Sequence, residues 1–265
     1  MKNFEHFAKS FKDPDRRYAI YPIIHSGITS AKDFDYYDRC GFAGVVGNTC
    51  YNMVSPTDTS KVGFPDDETA WQRTEAGFRG FAKHGMHTWI YDESGYPSGT
   101  AGGYVTEHHP EYIAQGLYCY DYWRVINGPS VYRADVPGDR LWKALLLPIN
   151  GGDAIDVTHC LNENNVLYIQ VPSGSYHLLM MSKRRLFDGT HATECYCEPR
   201  NYISLSDVDA TKAFIDVTHE RYKKILGDEF GKSILATFTD EPSLISWNIR
   251  TAVFPILPWH EKYPA

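Results

Sequence analysis

The segment MHTWIYDESGYPSG, residues 86–99, decides the fold class, because it joins a short apolar run to a polar loop rich in glycine and proline. The apolar run predicts a strand, and the polar residues follow at its carboxyl end. Two similar segments precede it, YAIYPIIHSG (18–27) and GFAGVVGNTCYN (41–52). Helical spacing follows each of them, over 30–39 and over 67–84. This alternation of strand and helix predicts parallel strands with their polar loops at one edge.

The pattern changes between residues 116 and 205, where short alternating runs are separated by Asn-Gly, Pro-Gly and Gly-Gly turn signals. These runs predict an inserted antiparallel β module. A helical period returns over 207–227, and SILATFTDEP (233–242) predicts a fourth strand. Four such β/α units are typical of a (β/α)8 TIM barrel, whose active sites lie at the carboxyl ends of the strands. We therefore expect an α/β fold that contains the first half of a TIM barrel.

The expected domain organisation has three segments. Residues 1–115 form the first three β/α units, 116–205 form the β-rich module, and 206–265 form the fourth helix and strand. A full barrel needs about 250 residues without insertions, so we expect the chain to be the truncated N-terminal half of a longer enzyme. Exposed apolar barrel strands in such a half favour self-association into a homo-oligomer.

Composition limits the classes of partner. The 265 residues carry 26 Lys and Arg against 33 Asp and Glu, a net charge of −7, which indicates no basic surface for nucleic acid or anionic lipid. No apolar run approaches the roughly 18 residues of a membrane helix, and residues 1–17 show neither the apolar region nor the cleavage site typical of a signal peptide. We expect a cytoplasmic protein without nucleic-acid or membrane partners. The spacing of Cys and His indicates no metal site.

Two acidic pairs follow predicted strands, Asp92-Glu93 and Asp240-Glu241. Glycoside hydrolysis needs one protonated carboxyl that gives its proton to the leaving oxygen, and one ionised carboxylate that acts as base or nucleophile. A single Asp-Glu pair is more often a solvated turn or a cap, but two pairs at matching strand ends favour function. Because successive side chains of a strand point to opposite faces, only one residue of each pair need face a substrate.

Other polar and aromatic residues at the strand ends are candidates for substrate binding. His25 ends the first predicted strand and Asn48 ends the second, where barrel enzymes place substrate contacts. Turn capping is the alternative role for both residues. Tyr96, in the loop after the third strand, is the better candidate for stacking on a sugar ring. Trp89 offers a second ring, with packing in the barrel core as its alternative role.

Three long motifs carry a resemblance to a known family. YDESGYPSGTAGG (91–103), DVDATKAFIDVTHERYKKILGDEFG (207–231) and FTDEP (238–242) resemble the large α-L-rhamnosidase-type glycoside hydrolases, family 106 and its relatives. The similarity covers most of residues 18–263. It implies a TIM-barrel catalytic domain that hydrolyses a glycosidic bond in a carbohydrate substrate. Some members hold a calcium ion near the bound sugar, and no other cofactor is implied.

The resemblance also implies roles for the two acidic pairs. Glu241 is the candidate general acid, and Asp240 would hold it in place. Asp92 and Glu93 would bind sugar hydroxyls or supply the second carboxylate, and Glu93 is the catalytic candidate of the two. Family members take further site residues from later barrel strands. The alternative function is therefore a non-catalytic carbohydrate-binding protein, or a truncated remnant of such an enzyme.

Overall fold

The structure is a computed structural model that describes residues 2–24, 31–48, 65–93, 96–138, 140–188, 200–244 and 255–263. The chain divides into two compact units. The first comprises residues 1–112 and 194–243, and the second comprises residues 113–193 and 244–265. The second unit therefore contains most of the predicted β module together with a C-terminal segment that we expected to belong to the barrel.

The described residues form six α-helices and nine strands. In chain order, the helices are α1 (Lys2–Lys12), α2 (Ala31–Arg39), α3 (Glu68–Lys83), α4 (Tyr104–His108), α5 (Val208–Val217) and α6 (His219–Leu226). The strands are β1 (Ile23–Ile24), β2 (Gly44–Asn48), β3 (His87–Tyr91), β4 (Gln115–Asp135), β5 (Leu141–Pro148), β6 (Ile155–Asp156), β7 (Val166–Arg185), β8 (Ile234–Phe238) and β9 (Ile256–Trp259). None of the helices among the described residues is long and apolar enough to span a bilayer.

The first unit contains a parallel sheet of four strands in the order β1-β2-β3-β8. Val45 and Val46 are adjacent in β2 and both buried, as is typical of a parallel strand covered on both faces. Gly44 allows the close approach of β2 to β3, because a Cβ atom at this position would lie 1.8 Å from the carbonyl oxygen of His87. The sequence of β2 is therefore suited to an interior position in the sheet.

Local signals also explain the longest helix of the first unit. The carboxylate of Asp67 caps α3 by accepting hydrogen bonds from the backbone N–H groups of Thr69 and Ala70. The apolar side of α3 then packs into the main core of the unit. That core includes Trp71, Phe78, Ile90, Phe214 and Tyr222.

The helix predicted over 207–227 is two helices, because the helix is interrupted at Thr218. This residue is fully buried, and its hydroxyl donates to the carbonyl of Phe214 at 2.6 Å. A side-chain hydroxyl that bonds the backbone in this way competes with the regular helical hydrogen bonds. The interruption leaves His219 as the first residue of α6.

The second unit is an antiparallel sheet of five strands in the order β6-β5-β7-β4-β9. Its long strands β4 and β7 pair from Gln115 with Arg185 to Asp135 with Val166, with two interruptions of the register. A mixed α/β fold with one parallel and one antiparallel sheet is thus confirmed. The described strands of the parallel sheet do not close on themselves, so the TIM barrel stays a prediction.

Candidate active site

The two acidic pairs meet at one edge of the parallel sheet. β3 and β8 are neighbours that run in the same direction, with Tyr91 in register with Phe238. Their carboxyl ends therefore lie side by side, and each is followed by one acidic pair. The hydroxyl of Thr239, next to the second pair, donates to Asp92 of the first pair at 2.6 Å. The folded chain thus brings together two segments that are far apart in the sequence.

Glu93 is the anchor of the loop that follows β3. Its carboxylate accepts hydrogen bonds from four consecutive backbone N–H groups, those of residues 99–102, at 2.5 to 3.0 Å. The guanidinium of Arg200 lies 3.8 Å from its Oε1 atom, and the Glu93 side chain is fully buried. Burial raises the pKa of Glu93, while Arg200 and the N–H donors favour the charged carboxylate.

This environment argues against the catalytic role predicted for Glu93. Both carboxylate oxygens are engaged by the protein, and the side chain has no exposed surface from which to reach a glycosidic bond. Consecutive backbone N–H groups that converge in this way form an anion-binding nest. Here the nest is occupied by the protein's own carboxylate, so Glu93 shapes the loop.

Asp92 is also buried, with 1% of its surface exposed. The hydroxyl of Ser98 donates to its Oδ1 at 2.7 Å, and the hydroxyl of Thr239 donates to its Oδ2 at 2.6 Å. The Nε2 atom of His219 lies 3.5 Å from Oδ2. Burial raises the pKa of Asp92, opposed by the two hydroxyl donors and by His219. Asp92 connects the loop after β3 to the segment after β8, and its contact with a sugar stays a prediction.

Ser98 fastens this loop to the second acidic pair. Its backbone N–H donates to the carbonyl of Asp240 at 2.8 Å, and its hydroxyl accepts from the N–H of Asp240 at 2.8 Å. The hydroxyl of Tyr202 in turn donates to the carbonyl of Ser98 at 2.5 Å. The sequence around Ser98 lacks the GxSxG spacing of a nucleophile, and its contacts give it a connecting role.

Asp240 and Glu241 are the acidic residues of the site that reach the surface, since Asp240 is half-buried and Glu241 is exposed. The hydroxyl of Tyr91 donates to Oδ2 of Asp240 at 2.5 Å. The hydroxyl of Tyr96 donates to Oε2 of Glu241. Within the described ranges, the other oxygen of each carboxylate has no protein partner. Oδ1 of Asp240 and Oε1 of Glu241 are therefore the oxygens of this pair that the described residues leave without a hydrogen bond.

The backbone at Glu241 is unusual, with a φ of 38° in the left-handed region that residues with a side chain rarely adopt. Such a conformation persists when surrounding contacts hold it in place. The backbone N–H and the hydroxyl of Ser98 hold the backbone of the neighbouring Asp240 through two hydrogen bonds, and Tyr96 holds the Glu241 side chain. The turn therefore presents Glu241 in a defined orientation.

The other predicted binding residues contribute less. Asn48 ends β2 in register with Tyr91, so its backbone lies at the same edge of the sheet as the acidic pairs. Trp89 stacks on Tyr21 with ring centroids 5.1 Å apart, which favours packing over stacking on a sugar. His25 lies outside the described residues.

Several residues of the site are not indicated by the sequence. Arg200 and Tyr202 bond to the loop after β3 from 104 residues away, and His219 reaches Asp92 from the start of α6. No local spacing connects these residues to the acidic pairs. Thr239 is the exception, because its position beside Asp240 in the FTDEP motif was a usable signal.

A calcium site is not supported by the described side chains. In that part of the chain, no three His, Cys, Asp or Glu side chains converge as ligands, and the oxygens of Asp92 and Glu93 accept hydrogen bonds from the protein. The described residues therefore do not fit the ion implied by the resemblance.

Comparison with models of protein families, with curated proteins and with solved structures finds no match to the chain.

Proposed function

We propose that the chain is a glycoside hydrolase of the rhamnosidase-like type, with Glu241 as general acid and Asp240 as the neighbouring carboxylate. One observation carries the proposal. Two adjacent carboxylates, each held by a tyrosine hydroxyl and each with one open oxygen, lie at the carboxyl edge of a parallel sheet. Active sites of α/β folds lie at that edge.

In the proposed reaction, Glu241 gives its proton to the glycosidic oxygen while the bond between that oxygen and the anomeric carbon breaks. The electron pair of the broken bond leaves with the protonated oxygen. Positive charge develops on the sugar in an oxocarbenium-like transition state, and the carboxylate of Asp240 stabilises it. Water then adds to the anomeric carbon and releases a proton, which restores the acid.

The proposal includes a finer statement of the fold, in which the parallel sheet represents four strands of a (β/α)8 barrel. The order β1-β2-β3-β8 fits four consecutive barrel strands, since the antiparallel module lies between β3 and β8 in the sequence. Barrel enzymes carry their catalytic residues at the carboxyl ends of several strands. The acidic pairs after β3 and β8 fit this rule.

Glu241→Gln tests the proposed acid. Purified protein is assayed on a panel of alkyl and 4-nitrophenyl glycosides that includes α-L-rhamnosides, with and without calcium. We expect turnover of the alkyl glycosides to fall by about 10²- to 10⁴-fold, because general acid catalysis contributes about that factor. Glu107→Gln, the same change at an exposed glutamate of α4, serves as the matched control and keeps wild-type turnover. Unchanged turnover in Glu241→Gln removes this residue from the acid role.

Carbohydrate binding without catalysis is the second candidate, and one observation favours it. Asp92 and Glu93 are enclosed, so the described residues that follow β3 supply no open second carboxylate. A wild-type protein that binds glycosides in calorimetry but hydrolyses none of them would support binding alone.

A further inference from the structure

We propose that Tyr96 is a positioning residue that determines which oxygen of Glu241 carries the transferable proton, an inference that rests on the proposed function. The sequence predicts a stacking ring at this position. In the structure, the Tyr96 hydroxyl donates to Oε2 of Glu241, and the Tyr96 carbonyl accepts from Arg200 at 3.4 Å. The residue is therefore held at its backbone and directed toward the acid by its hydroxyl.

The direction of this hydrogen bond selects the protonated oxygen. A neutral carboxyl accepts hydrogen bonds best at its carbonyl oxygen, so while the Tyr96 hydroxyl donates to Oε2, the proton of a neutral Glu241 carboxyl is favoured on Oε1. Oε1 is also the oxygen without a protein partner among the described residues. A glycosidic oxygen can therefore receive the proton at the open position.

The same bond favours the transition state over the bound substrate. When the proton leaves Oε1, the Glu241 carboxyl becomes a carboxylate, and the hydrogen bond from Tyr96 becomes charge-assisted and stronger. An interaction that strengthens only as the reaction proceeds raises kcat rather than substrate affinity. Tyr96 is thus expected to act on turnover.

A second tyrosine holds the neighbouring carboxylate in the same way. Tyr91, the last residue of β3, donates to Oδ2 of Asp240 at 2.5 Å. The Tyr91 side chain lies in the core with 1% of its surface exposed, so its replacement would also disturb packing. Tyr96 is half-buried in the loop, which makes it the cleaner residue to test.

Tyr96→Phe removes the hydroxyl and keeps the ring, so it separates positioning from stacking. For an alkyl glycoside, whose leaving group needs the proton, we expect kcat to fall about tenfold with KM nearly unchanged. The 2,4-dinitrophenolate leaving group departs without a proton. For a 2,4-dinitrophenyl glycoside, kcat of the variant should therefore stay near the wild-type value. Tyr36→Phe, at an exposed tyrosine of α2, is the matched control and should change neither rate. An equal loss on both substrates, or no loss on either, overturns the inference.

A measurement without turnover separates this inference from the proposed function. 3-Fluorotyrosine is placed at position 96, and its fluorine NMR signal is compared between variants. The signal should shift in Glu241→Met, which removes both acceptor oxygens, and stay in place in Glu107→Gln. An unmoved signal in Glu241→Met overturns the contact between Tyr96 and Glu241. A wild type that hydrolyses no glycoside rejects the proposed function, and the fluorine signal then decides the contact by itself.

Discussion

Glu93→Gln should destabilise the first unit, because it removes the charge around which residues 99–102 are folded. A glutamine amide has the shape of the carboxylate but offers one acceptor oxygen and one NH2 donor. If the amide oxygen faces the three N–H groups of residues 99–101, the NH2 group takes the place of Oε1. It then faces the N–H of Gly102, which lies 2.5 Å from Oε1 in the wild type. Two hydrogen-bond donors, the glutamine NH2 group and the N–H of Gly102, then face each other in a buried site.

The expected loss is about 3 kcal/mol of unfolding free energy. A buried N–H group without an acceptor costs about 1–3 kcal/mol, and the three remaining hydrogen bonds lose their charge assistance. The substitution also removes the negative charge 3.8 Å from Arg200, whose side chain is 7% exposed. Relief from burying a charge offsets part of this loss. For a domain of 150–250 residues, about 3 kcal/mol corresponds to a drop of roughly 6–12 °C in Tm.

Hydrogen exchange gives a local measurement of this effect. The backbone amides of residues 99–102 donate to Glu93 in the wild type, so they should be protected from exchange. A loss of about 3 kcal/mol predicts exchange that is faster by roughly 150-fold in Glu93→Gln. Glu107→Gln at the exposed surface of α4 should stay within about 0.5 kcal/mol of the wild type in urea unfolding.

Wild-type protection of these four amides in Glu93→Gln, together with an unchanged urea midpoint, would refute the role of Glu93 as loop anchor. Glu93 would then not hold the loop after β3 in place. Its predicted role as the second catalytic carboxylate would regain support.

Two further substitutions test the contacts around the acidic pairs. Ser98→Ala should lower the unfolding free energy by about 1–3 kcal/mol, because Asp92 loses a donor and the N–H of Asp240 loses an acceptor. Urea unfolding measures this loss, and a change below about 0.5 kcal/mol would contradict it. Burial raises the pKa of the Asp92 carboxyl from its ordinary value of 3.8. Between the pKa of the unfolded chain and that of the folded chain, the folded state therefore holds a proton that the unfolded state has released, and stability falls as the pH rises through this range. The unfolding free energy of the wild type minus that of Asp92→Asn should be largest below the unfolded pKa and decrease as the pH rises above it, and a difference that grows with pH in urea titrations would disprove this.

Much of the first unit could be predicted from local signals. The apolar run before Asp92 predicts β3, and the helical spacing over 67–84 predicts α3, which Asp67 caps in the structure. Both signals act over a few residues, since periodicity and capping depend on neighbours in the chain. The interruption at Thr218 was not predicted, because the helical period continues across this residue and does not show that its hydroxyl bonds the Phe214 carbonyl.

The sequence by itself determined that two acidic pairs follow strands and that a glycine-rich loop follows the first of them. The residue patterns alone could not distinguish the two pairs, because adjacent carboxylates at strand ends look alike, and only the resemblance to a family implied different roles for them. The tertiary structure decided that Glu93 of the first pair is enclosed while Glu241 of the second pair is exposed. The loop wraps around Glu93, and Ser98 joins it to Asp240 across 142 residues of sequence. A carboxylate takes its role from the donors that surround it, and these donors arrive from segments that only the fold brings together.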